Sequence, residues 1–121
     1  MEKLTAKEEE VLELIWKTGA TFPKDLVAVY PDPKPHVNTV ATMFQSLERK
    51  GYLTHRPWGR GYWYEPTLSP TDYRRLKTAD LVDRYYGRSY RDVVSAFVSE
   101  EKLTEQELLD VLDELRSHNK A

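Results

Sequence analysis

The chain has 121 residues, 40% hydrophobic and 31% charged, with a net charge of −2 and no cysteine. These values suit one compact domain or two small ones, and they exclude a disordered tail, a disulfide scaffold and a thiolate metal centre. No apolar run approaches the ~18 residues that cross a bilayer. The acidic, helix-patterned start Met1-Glu2-Lys3-Leu4 is also unlike a secretory leader. A cytoplasmic protein without membrane insertion is expected.

The charge is unevenly placed. Residues 21–66 carry six Lys/Arg against four acids, and residues 99–121 carry three bases against seven acids. This mild asymmetry permits nucleic-acid binding by the middle of the chain without requiring it.

Thr5-Ala6-Lys7-Glu8 reads as a capping box that opens a first helix. Val11, Leu12, Ile15 and Trp16 give it an apolar stripe, and Gly19 ends it. Glu8, Glu9, Glu10 and Glu13 are expected on its solvated face. A short second helix begins at Pro23, with Leu26, Val27 and Tyr30 as its apolar residues. Pro31-Asp32-Pro33-Lys34-Pro35 then forms a stiff connector.

The third helix is expected from about His36 to Lys50, with Gly51 as its stop. Val40, Met43, Phe44 and Leu47 recur at helical spacing and face a core. The opposite face shows Asn38, Thr39, Thr42 and Gln45. The period then changes. Tyr52 to Arg56 and Tyr62 to Glu65 read as strands around a Pro57-Trp58-Gly59-Arg60-Gly61 turn, which makes a β-hairpin.

The remainder reads as three helices. Ser69-Pro70-Thr71-Asp72 starts one that runs to about Tyr86, with Gly87 as its stop. A second begins near Ser89. A third begins with the capping box Thr104-Glu105-Gln106-Glu107, where Leu103 and Leu108 form a hydrophobic staple. About fifty residues in three short helices bury little apolar surface alone. Two copies packed together would bury more, whereas folding back onto the N-terminal half would give one monomeric core. The pattern favours the dimer.

The expected fold is mainly α with a small β-hairpin wing: a winged helix-turn-helix over residues 1–67, followed by a three-helix dimerisation region over 68–121. In that architecture the third helix suits a major groove and the hairpin a neighbouring groove or phosphate. Asn and Gln can pair with adenine, and Thr can meet a thymine methyl. Arg60 at the hairpin turn and Lys24 at the second helix are candidate phosphate contacts. The DNA-facing candidates are thus Lys24, Asn38, Thr39, Thr42, Gln45 and Arg60. Arg49 and Lys50 are expected only to complement the end of the third helix. Tyr62 and Tyr64 flank Trp63, and their alternation points to core packing of one strand face rather than base stacking. The candidate dimer interface comprises Leu81, Val82, Tyr85, Val93, Val94, Phe97, Leu108, Val111, Leu112 and Leu115.

No nucleophile, phosphate-loop or zinc-protease pattern occurs. His36, His55 and His118 are scattered, so neither a metal, a cofactor nor an enzyme is expected. A winged module that binds protein instead of DNA is the alternative.

Several local sequences resemble the penicillinase-repressor family (the BlaI/MecI/CopY type). They are Leu4 through Leu12, Ile15-Trp16, Thr39-Val40-x-Thr42, Leu47-x-x-Lys50-Gly51-Tyr52-Leu53 and Tyr62-x-Tyr64. The resemblance runs over residues 4 to 116 and rests on their order together with the short helical tail. It implies a cytoplasmic homodimeric repressor that binds double-stranded DNA at a palindromic operator. It also implies a link to a membrane sensor-protease system that relieves repression by cleavage in the dimerisation region. Two departures stand out. Asn38, Ala41 and Gln45 replace basic residues of the better-known recognition helices, which implies a different operator. At the familiar Asn-Phe cleavage bond this chain has Ala96-Phe97. The cysteine-rich tail of the copper-responsive branch is missing.

Overall fold

The computed structural model describes residues 2 to 119. Eight elements follow in order: α1 (Ala6–Thr18), α2 (Pro23–Val29), α3 (Val37–Arg49), β1 (Leu53–Trp58), β2 (Gly61–Pro66), α4 (Pro70–Tyr86), α5 (Tyr90–Ser99) and α6 (Glu105–Asn119). The chain divides into two compact units between Arg74 and Arg75.

The first unit is a winged helix. Both halves of the capping box form at α1: Glu8 N–H donates to the Thr5 hydroxyl, and Thr5 N–H donates to the Glu8 carboxylate at 2.8 Å. Gly19 closes the helix at φ +73°, where a side chain would be strained. Val11, Leu12 and Ile15 of α1 meet Leu26 of α2 and Val40, Phe44 and Leu47 of α3 in one core. The hairpin closes that core. Leu53 and Tyr64 are buried, and the Tyr64 ring packs edge-on to Phe44 at 5.1 Å.

The first turn of α4 is fastened to this unit. Tyr73 is buried, its ring lies 5.5 Å from Trp16 and 5.8 Å from Tyr52, and its hydroxyl donates to Glu9. Burial and the Glu9 carboxylate together push that phenol well above its ordinary pKa.

The hairpin turn is shorter than expected. The strands pair in register from Leu53 with Pro66 to Trp58 with Gly61, leaving only Gly59 and Arg60 as the turn. Pro57, expected in the turn, lies inside β1 opposite Tyr62. A two-stranded sheet consists entirely of edges, so a residue without an N–H is accommodated there. Gly59 takes φ +58° to tighten the loop.

The first helix also departs from expectation. Glu8 is 5% exposed rather than solvated. Its carboxylate receives Lys50 Nζ at 2.6 Å and the Ser46 hydroxyl. Burial alone would raise its pKa. Donation from Lys50, Ser46 and Thr5 overrides this and lowers it to about 2. Lys50, expected to act only as a helix-end charge, therefore ties the end of α3 to the start of α1.

In the second unit, Ser89 accepts the Asp92 N–H to cap α5, and Thr104 with Glu107 caps α6 reciprocally. Leu103 and Leu108 of the expected staple are half-buried. Among the described residues of α5 and α6, none is buried. Tyr85, Val111 and Leu115 are 72%, 59% and 54% exposed. Val82 is the exception on α4: its side chain is already buried within its own chain, so it belongs with core residues and not with a partner-facing surface. No helix of the described residues is long and apolar enough to cross a membrane.

Candidate nucleic-acid interface

The α3 helix has one buried face and one open face. Val40, Phe44 and Leu47 fix its rotation in the core. Asn38, Thr39, Thr42 and Gln45 consequently lie exposed on the other side. His36 caps the helix, its Nδ1 accepting the Asn38 N–H at 3.0 Å, so the helix proper begins one residue later than the sequence pattern suggests. The Thr42 hydroxyl donates to the Asn38 carbonyl at 2.9 Å. With its donor engaged inside the helix, Thr42 offers outward mainly a methyl group and an acceptor.

The six cations of residues 21–66 separate into engaged and open ones. Lys34 Nζ bridges the carbonyls of Val27, Ala28 and Tyr30 at 2.8–3.3 Å, satisfying the end of α2. Lys50 is held by Glu8. Arg56 lies over the rings of Trp63 and Trp58 at 5.4 and 5.9 Å and pairs with Glu65 at 3.5 Å. Arg49 donates to Ser46. Among the described residues, Lys24 and Arg60 make neither an ion pair nor a hydrogen bond, and both are exposed.

Those two open cations border one cleft. It has a volume of about 660 Å³ and runs between the start of α2, the α3 face and the hairpin. Three of the expected contact residues, Lys24, Gln45 and Arg60, line it together. Asn38, Thr39 and Thr42 lie on the same helix outside its lining. The cleft also contains Phe22, Val37 and Trp58, which sequence reasoning left out, and Tyr62, which it assigned to core packing. Tyr62 and Tyr64 share a strand face, as their alternation indicates, yet only Tyr64 is buried and Tyr62 is 52% exposed. The signal for Trp58 is present in the hairpin's aromatic richness, but placing it in the turn conceals its side.

The wing is also tied to the end of α3. His55 Nδ1 contacts the Glu48 carboxylate at the end of α3, and the His55 ring meets Tyr62 at 4.7 Å. Tyr64 N–H donates to the Thr21 carbonyl at 3.0 Å, joining β2 to the segment before α2. His55 and Tyr64 are cross-strand partners, so both strands of the hairpin are anchored at the same level, one to α3 and the other to the segment before α2. No cluster of three metal-ligating side chains occurs among the described residues.

Comparison with known proteins identifies the family. The family profile described as penicillinase repressor matches residues 4–117. The chain is similar to the penicillinase repressor of Bacillus licheniformis, at 25% identity over 96% of this chain and 91% of that protein. It is also similar to an uncharacterized 16.5 kDa protein of Latilactobacillus sakei, at 23% identity over 90% and 75% respectively. Among solved structures, Bacillus licheniformis BlaI in its monomeric form with the blaP half-operator aligns at 27% identity, covering 60% of this chain and 89% of that one, with a TM-score of 0.48. The transcriptional regulator Tm0710 of Thermotoga maritima aligns at 22% identity over 96% and 76%, also with a TM-score of 0.48. The chain belongs to the penicillinase repressor family, a family of DNA-binding transcriptional repressors rather than enzymes.

Proposed function

We propose that this protein represses a promoter by binding a palindromic operator as a homodimer, with the N-terminal unit reading DNA and the C-terminal helices pairing the chains. The observation that carries the DNA reading is the uncovered polar face of α3 beside Lys24 and Arg60, the two cations of this region left without partners among the described residues. Asn38, Thr39, Thr42 and Gln45 would meet base edges. Lys24 and Arg60 would meet phosphates. Half-sites would lie about 10–12 base pairs apart, one helical turn or slightly more.

The dimer rests on the apolar surface of the second half. Leu81, Tyr85, Val94, Phe97, Val111, Leu112 and Leu115 are exposed, with Val93 and Leu108 half-buried. So much uncovered aliphatic and aromatic surface on amphipathic helices supports the reading of an association face. Relief by proteolysis, linked to a membrane sensor, would act at Ala96–Phe97. That bond lies within α5, so cleavage there requires local unwinding.

The deciding experiment selects duplexes from random-sequence DNA with the purified protein and measures their affinity by fluorescence anisotropy. A two-fold consensus bound by a dimer is expected, with affinity falling steeply as salt rises. Gln45→Ala should alter base preference at one position per half-site, by about 1–3 kcal/mol. Absence of any enriched sequence would reduce the wing to a protein-binding module.

A further inference from the structure

The cleft beside α3 has walls that phosphate contact does not explain. Trp58, Tyr62 and Val37 stand 55%, 52% and 39% exposed, and Phe22 joins them in the lining. Phosphate oxygens call for polar donors, not for two open aromatic rings and an aliphatic side chain. The volume of about 660 Å³ lies within the ~300–1,000 Å³ range of small-molecule sites. Such sites combine mostly apolar walls with a few placed polar groups, and here those groups are Gln45, Lys24 and Arg60. The charge is one-sided: among the described residues no Asp or Glu lines the cleft, and both of its cations lack partners.

We propose that this cleft is a binding site for a small planar aromatic carboxylate, and that occupancy competes with DNA. The flat body of the ligand lies against Tyr62, with Trp58, whose side chain leaves the other face of the hairpin, closing the cleft, and its carboxylate is held by Arg60 and Lys24. A guanidinium receives a carboxylate through two parallel hydrogen bonds, which a neutral analogue cannot reproduce. Arg60 follows Gly59 in a two-residue turn with glycine on each side, so the chain there leaves room for it to swing over the cleft mouth. Competition follows from shared groups: Gln45, Lys24 and Arg60 are the same residues assigned to the duplex. The competition half rests on the proposed DNA reading, whereas the ligand site itself does not.

The test uses the full chain and 2-naphthoate as the probe. Calorimetry without DNA should give saturable binding at one site per chain. The neutral 2-naphthalenemethanol should bind at least ~10-fold more weakly, equivalent to about 1.4 kcal/mol. Lys24→Ala with Arg60→Ala should weaken naphthoate by a similar factor. Val37→Trp, which fills the cleft, should abolish binding while circular dichroism shows an unchanged melt. Equal affinity for the neutral analogue, or binding that survives Val37→Trp in a folded chain, overturns the site. Anisotropy with a selected duplex then tests competition: naphthoate should raise the apparent Kd for DNA, and an unchanged Kd at saturating naphthoate overturns that half. A chain that enriches no DNA at all defeats the proposed function instead, with the DNA-free calorimetry still deciding the ligand site.

Discussion

The N-terminal unit completes its own interior, and the C-terminal helices do not. In the first, helices from three parts of the chain and a hairpin converge on Phe44, Leu12, Leu26 and Leu47, each essentially without exposure. In the second, α5 and α6 have caps and amphipathic stripes of good quality, yet bury no residue among those described. Local signals of equal strength therefore lead to different tertiary outcomes. A cap and a stripe say that a helix forms and which side seeks cover. They do not say whether the cover comes from the same chain.

Experiments that remove cover from one unit should leave the other measurable. The largest effect is expected for Phe44→Ala, which opens a cavity in a closed core and should cost about 3–5 kcal/mol in urea unfolding of the N-terminal unit. If Leu115→Ala, on an exposed stripe, cost as much in a monomeric background, the contrast would collapse. Next comes Phe97→Asp, which puts a charge on the proposed pairing face. Dimer affinity should fall by about 2–4 kcal/mol in sedimentation equilibrium, with α3 and its fold intact. Retention of wild-type dimerisation would move the interface elsewhere.

Glu8 gives a pH handle on the first unit alone. Its carboxyl titrates near 2 in the folded chain against an ordinary 4.5. The unfolded chain therefore binds the proton more readily. The contribution is complete above about pH 4.5 and disappears as pH falls toward 2. Its size is about 3 kcal/mol. In Glu8→Gln, acid titration of stability between those values should flatten, and Lys50 should lose its partner. An unaltered acid profile would contradict this assignment. The smallest effects separate the cations. Arg60→Ala should weaken DNA binding by about 1 kcal/mol and reduce the salt slope by about 1, the share of a single phosphate. Lys34→Ala should instead lower stability by about 0.5–1 kcal/mol and leave the salt slope unchanged, because its ammonium is engaged by helix-end carbonyls.

What the sequence reveals follows the reach of each interaction. Thr5 and Glu8 are three residues apart, so their reciprocal cap is readable from spacing, as is the helical stripe through Phe44. The second role of Glu8 depends on Lys50, 42 residues away, and no local pattern announces it. Glu8, Glu9, Glu10 and Glu13 look like a wet helix face until the end of α3 arrives beside the first of them. Pro57 misleads for a related reason. It argues against a strand in a wide sheet, and only the two-stranded topology gives it a free edge. Lys34 counts toward the positive charge of the middle of the chain, but the proline-rich connector bends it back onto the α2 carbonyls. Among the candidate contacts, the polar face of α3 is legible because its apolar complement is. The aromatic lining of the cleft is not, since the local sequence around Trp58 carries turn chemistry and hides the strand that orients it.

The hairpin acts as a ruler graduated in residue pairs. Each strand contributes six residues, which at ~3.3 Å apiece carry Arg60 roughly 20 Å along the strand direction from Leu53. The two-residue loop has no slack, so the wing can change length only in whole pairs. Removing one pair would invert every side chain beyond the cut, exchanging the Trp58 and Tyr62 faces. Removing two would restore the faces and withdraw the tip by about 7 Å. Reach and facing in this wing are consequently inherited together, and a shorter-armed variant that still presents Arg60 on the same side must have shed its pairs in even numbers.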